Sequence, residues 1–197
     1  VTFAISRAEI AAVFGAEGLA TVPPERINPA VTHAPTARFL EEVGLPDVPE
    51  FVFWDDGELG SGLTSALDRI AHLGDFTEAP LDGWGVPGYT CTDTSLLDGA
   101  TGKVWIFLDG DAGVAFVNSG IDLFARFLAA LHRNAELLHP DHDMPEDIEA
   151  VAKEPNGELR ALDPAAFADD RCLWPVMPER LAWDWSPPTP DPSDRPR

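Results

Sequence analysis

Residues His139-Pro140-Asp141-His142-Asp143 put two imidazoles and two carboxylates into one short stretch. These are the donor groups that zinc and related metals take, and His-Asp neighbours occur in metal-dependent hydrolases. A hydrolase of that class would be built on His139, His142 and Asp143. The spacing argues against it. Pro140 and Pro145 prevent the continuous helix that would set both imidazoles on one face, and no second cluster completes the coordination. A solvated polar loop is the preferred reading, with His139 complementing the negative end of a preceding helix. No metal and no cofactor is expected.

Other chemical motifs are weaker. Gly83-Trp84-Gly85-Val86-Pro87-Gly88 spells G-x-G-x-x-G. A dinucleotide site needs a strand before that motif and a helix after it, whereas here an acidic loop precedes it and a strand follows. Asp109-Gly110-Asp111-Ala112-Gly113 begins like a calcium loop but has Gly113 where a fifth-position ligand belongs, so it reads as a hairpin turn. There is no G-x-S-x-G, no phosphate-binding loop and no recognisable Cys/His nucleophile pair. Carboxylates could pair as acid and base, but 34 of them leave spacing no power to select a pair. The expectation is a protein that is not an enzyme.

Tryptophan beside carboxylate suits binding better. Trp54 borders Asp55, Asp56 and Glu58; Trp84 lies near Asp82; Trp183 and Trp185 flank Asp184. Such neighbours can form an apolar anchor with an electrostatic rim. Core packing is the competing use of each indole, and Trp105, inside the most apolar strand, is read as core or sheet surface.

These residues must be held by a fold. Ser6 and Glu9 form a capping box that opens a helix ending near Gly15. A second helix begins near Pro35, presents Phe39, Leu40 and Val43, and stops at Gly44. Phe51 to Trp54 reads as a short strand. Residues 63–74 fit both periods: Leu63, Leu67 and Ile70 suit a helix, Ile70 to Leu73 a strand. Strands at Tyr89 to Leu96, Val104 to Leu108 and Val114 to Val117, joined by two tight turns, predict an antiparallel meander. Ser119 then caps a helix with Ile121, Phe124, Leu128, Leu131 and Leu138 on its apolar face. An acidic helix is expected over Glu146 to Lys153, a short one opens at Asp163-Pro164, and Arg171 to Trp185 has no assigned type. The result is an α+β domain over 1–183: a central, mostly antiparallel twisted sheet with helices packed on one side. A Pro-rich, disordered tail over 184–197 follows.

Thirteen basic residues against 34 acidic ones leave a net charge of −21. Phosphate backbones and anionic membranes would repel such a chain, which excludes direct nucleic-acid binding and favours a cationic partner. Only Lys103 and Lys153 are lysines, a bias typical of GC-rich bacterial genomes. The N-terminal stretch does not read as a signal peptide, and no apolar run approaches the ~18 residues of a membrane span. Cys91 and Cys172 match no metal or redox spacing and are read as reduced, packed thiols. A cytoplasmic location is expected.

The ordered set THAPTARFLEEVGLP (Thr32 to Pro46), the Gly74-bearing apolar segment, LDGATGKVWIF (Leu97 to Phe107) and VNSGIDLFARFLAAL (Val117 to Leu131) resembles the SUKH superfamily. The resemblance is to its fourth immunity-protein subfamily, often found in actinobacteria, and it runs from the first helix to about Trp174. It departs at Gly120, where the family commonly has a second Ser, and in the acidic stretch Phe76 to Val86. It implies a domain that binds and neutralises a cognate polymorphic toxin, in many cases a nuclease or deaminase. A scaffold or regulator of the same fold, without a toxin partner, is the alternative. The matching residues are turns and caps, so none is carried over as catalytic. Candidate partner contacts are Trp54, Asp55, Asp56 and Glu58 on one loop, with Asp109 and Asp111 on the hairpin turn; the partner is a basic toxin domain.

Overall fold

In the first helix, α1 (Arg7–Phe14), the Ser6 hydroxyl accepts from the Glu9 amide at 3.3 Å while Glu9 Oε2 accepts from the Ser6 amide at 2.8 Å. This is the predicted reciprocal cap. The computed structural model describes residues 2–47, 53–54, 58–77, 92–108, 113–137, 155–168 and 172–175. After α1 come β1 (Leu19–Ala20) and a 3-10 turn, Pro24–Arg26. Helix α2 (Ala34–Glu42) carries Pro35 in its first turn and buries Phe39 and Leu40 completely. Gly44, at φ 81°, turns the chain into β2 (Leu45–Pro46), which pairs antiparallel with β1.

The main sheet has six strands among the described residues: β3 (Phe53–Trp54), β4 (Ser65–Leu67), β5 (Ile70–Thr77), β6 (Thr92–Asp98), β7 (Val104–Leu108) and β8 (Gly113–Asn118). Their order is β3-β5-β6-β7-β8, with β4 paired to β5, and every pairing is antiparallel. The predicted meander is present. A short helix, α3 (Glu58–Ser61), buries Leu59.

The two-way reading of 63–74 resolves as strand, a hairpin turning at Asp68-Arg69. Gly62 and Leu63 both hold positive φ, 96° and 70°, which halts any helix there. Leu63 is buried while Leu67 is 72% exposed, so the helical spacing of the leucines never becomes one packed face.

Helix α4 (Ile121–Leu137) covers one face of the sheet with Ile121, Phe124, Phe127, Leu128 and Leu131, all buried. Phe124 meets Phe53 edge-on, with centroids 5.3 Å apart. Burying a side chain of this size stabilises by about 1.5–3 kcal/mol, so α4 is the main fastener of the helical layer. Leu138 and the predicted helix over 146–153 lie outside the described residues.

Two assignments change. Ser119 does not cap α4, which starts two residues later; its hydroxyl instead donates to Asp163 Oδ1 at 2.8 Å, because that buried carboxylate requires donors. An additional helix, α5 (Pro155–Leu162), precedes the expected short turn at Pro164–Phe167. Among the described residues no helix is long and apolar enough to cross a membrane.

Candidate interaction surface

Alternation along the central strands divides the sheet into two unlike faces. Val104, Ile106, Leu97, Leu73 and Ala71 point into the helical layer and are buried. Trp105, Phe107 and Leu96 sit at the intervening positions and retain solvent contact. Trp105 lies opposite Phe116 of β8 and packs edge-on against it, centroids 5.3 Å apart at 81°. The next cross-strand pair is Phe107 with Val114, 44% and 57% exposed. In this uniformly apolar strand Val104 and Ile106 are thus buried while Trp105 and Phe107 keep solvent contact.

Further across the same face, His72 Nε2 lies 3.1 Å from Asp75 Oδ1. Partial burial pushes the Asp75 carboxyl up, but hydrogen bonds from His72 and Thr94, with the nearby imidazole charge, outweigh it and hold the pKa below the ordinary Asp value. The backbone register sets Trp54 opposite Asp75, which ties the β3 edge to this polar pair. At one end of the sheet Asp98 closes the β6–β7 turn. Its Oδ1 accepts from the Ala100 amide at 3.0 Å, and Arg69 Nη2 approaches its Oδ2 at 3.6 Å.

A buried polar cluster fixes where β8 ends and α4 begins. Asn118 Nδ2 donates to Asp163 Oδ2 at 3.1 Å, and the Ser119 amide donates to the same oxygen at 2.8 Å. The Trp174 indole N–H donates to Asn118 Oδ1 at 2.9 Å. Asn118, Asp163 and Trp174 are all buried. Sequence reasoning found Asn118-Ser119 as a motif and missed both partners. The only signal was a buried-type Asn beside a helix start; nothing local pointed to residues 45 and 56 positions away.

The predicted contacts divide. Trp54 lies in β3 and Glu58 begins α3, while Asp55, Asp56, Asp109 and Asp111 lie outside the described residues. So do His139, His142, Asp143, the 83–88 glycine motif, Cys91, Trp84, Trp183, Trp185 and the 184–197 tail. Cys172 is a buried free thiol. Among the described residues no group of three His, Cys, Asp or Glu side chains is placed to hold a metal ion.

A family model described as SUKH-4 immunity protein matches residues 5–180. No curated protein and no solved structure matches the chain. The match takes in both sheets, the helical layer and the Asn118–Asp163 cluster, and it agrees with the order of motifs from Thr32 to Leu131. The chain therefore belongs to the SUKH-4 immunity protein family.

Proposed function

We propose that the protein neutralises a cognate polymorphic toxin by stoichiometric, non-covalent binding in the cytoplasm, without catalysis. The family match over residues 5–180 carries this reading. The charge supports it: an enzyme acting on nucleic acid presents a basic cleft, and a chain at −21 is steered to such a surface. A nuclease or deaminase domain is the toxin class this favours. Trp54, Asp55, Asp56 and Glu58, with Asp109 and Asp111, are the proposed contacts.

The test is direct. The toxin domain encoded by the adjacent gene is expressed with and without this protein, and growth and complex stoichiometry are measured. Growth rescue and a complex of one to one are expected; binding without rescue, or no binding, defeats the reading. Charge reversal at Asp55 and Asp56 should slow association and flatten its salt dependence. An unchanged on-rate removes that loop from the contact set.

A further inference from the structure

One edge of the main sheet is blunted and the other is not. At the first edge β3 and β4 are two and three residues long, and β4 shifts register against β5 between Ser65 and Leu67. Short, irregular edge strands are poor templates for a further strand. At the second edge β8 runs for six residues and, among the described residues, pairs only with β7. Neither β8 nor β7 carries a charged side chain or a proline, the residues that usually protect an edge. The bulge in β8 falls at Val117, and Asn118 is held by Asp163, so both irregularities sit at its C-terminal end. Gly113 to Phe116 follow Leu108 to Trp105 one for one.

Two copies of this edge fit one another. In an antiparallel pair, residues directly opposite lie on the same face, so a two-fold axis must pass through a residue position. An axis at Ala115 sets Val114 opposite the second copy's Phe116, and Phe116 opposite its Val114. Within one chain Val114 lies opposite Phe107, and Phe116 opposite Trp105. The pairing therefore joins Phe107 and Val114 to the second copy's Phe116 and Trp105 in one apolar row, with an identical row across the axis. Phe107 and Val114, 44% and 57% exposed, gain cover from it. Because the paired strands are uncharged, no like charges meet along them.

We propose that the β8 edge pairs with the β8 edge of a second copy, centred on Ala115, so that the main sheet runs on across a two-fold axis. The dimer is independent of the toxin-binding reading: it changes the number of chains in a complex, not their ratio. A net charge of −21 opposes the approach of two copies at long range, so added salt strengthens the dimer.

Sedimentation of the wild type across concentration, at low and high salt, is the first measurement, and a dimer that tightens with salt is expected. Val114→Lys should weaken it by about tenfold or more. This substitution also reduces the net negative charge, so dissociation cannot come from added repulsion. Leu67→Lys, on the blunted edge, should change it by less than about twofold. Ala115→Cys tests the register. Opposite Cα atoms of an antiparallel pair lie about 4.5–5.5 Å apart, within disulfide reach, so mild oxidation should link two chains. Wild type and Leu67→Cys, oxidised alike, control for the native cysteines and should stay unlinked. A wild type that remains monomeric up to about 100 μM overturns the proposal. So does a dimer that Val114→Lys leaves intact, or an Ala115→Cys protein that does not cross-link. Should Val114→Lys fail to fold, wild-type sedimentation and the cross-link decide. Amide protection over 113–116 that appears only when the toxin domain binds a monomer makes the toxin the occupant and overturns the dimer.

Discussion

Asn118 donates from Nδ2 to Asp163 Oδ2 across 45 positions of sequence, and both side chains are sealed from water. The contact ties the last residue of β8 to the end of α5, and the Trp174 indole completes it from the other side. Three donors reach the Asp163 carboxylate, two from side chains and one from the Ser119 backbone. Removing one leaves the carboxylate buried and underserved. Asn118→Ala should therefore lower unfolding free energy by about 2–4 kcal/mol in urea titrations. Trp174→Phe, which removes one neutral donor and keeps an aromatic ring, should lower it by about 1 kcal/mol. Glu158→Gln, which weakens the exposed Arg126–Glu158 pair, should change it by less than about 1 kcal/mol. Equal losses from all three would mean the buried cluster has no special weight.

Gly44 and Gly15 offer a second comparison. Both hold positive φ, 81° and 78°, so an alanine at either is strained by about 1–3 kcal/mol. A Cβ at Gly15 would meet open space, whereas one at Gly44 would run into the backbone carbonyl of Ala20. That carbonyl belongs to β1, whose pairing with β2 begins immediately after Gly44. Gly44→Ala should therefore lower the thermal midpoint more than Gly15→Ala, and should speed amide exchange at residues 19–20 and 45–46. A smaller loss at Gly44 would place the limiting strain in φ alone.

Gly44 was readable from sequence because a helix stop is a local event, as were the Ser6–Glu9 box and the turn chemistry between Asp98 and Gly102. Whatever depended on a distant partner was not readable. Ser119 looked like a cap because its true partner, Asp163, is 44 positions away. Residues 63–74 matched two periods until the backbone at Gly62 and Leu63 ruled one out. Helix α5 has no counterpart in the sequence reading, although Pro155 occupies its first position, where a missing N–H is harmless. The open face was hidden for the same kind of reason: Val104 to Leu108 is apolar throughout, so no alternation marks Phe107 as the side chain left in water.

Ser95 is a place where that burial works against a side chain. It sits on the core face of β6 between Gly74 and Ile106, fully buried, and its hydroxyl has no hydrogen-bond partner among the described residues. A desolvated hydroxyl without a partner costs about 1–3 kcal/mol, and replacing it by hydrogen removes that cost while leaving little extra space. Ser95→Ala should leave stability unchanged or raise it by up to about 1 kcal/mol. A loss above about 1 kcal/mol in urea unfolding would show that the hydroxyl is bonded after all.

Acid should weaken the sheet through Asp98 and Asp75. Burial raises the Asp98 pKa, but the Ala100 and Thr101 hydrogen bonds and the charge of Arg69 together hold it below the ordinary Asp value. The Asp75 pKa is likewise held down, by His72 and Thr94 against the effect of burial. For a carboxyl whose folded pKa is depressed, the ionised form favours the native state. That stabilisation is fully present above the unfolded pKa of about 4 and is lost as the pH falls through the folded value. Unfolding midpoints measured from pH 7 to pH 2.5 should therefore drop below about pH 4. Asp98→Asn should be less stable than wild type at pH 7, and the gap should narrow as the wild-type carboxyl takes up its proton. Parallel profiles would exclude Asp98 from the acid response. A profile for His72→Gln that loses stability at pH 5 but converges with wild type in strong acid would assign the remainder to Asp75, because the imidazole acts only while the carboxylate opposite it is charged.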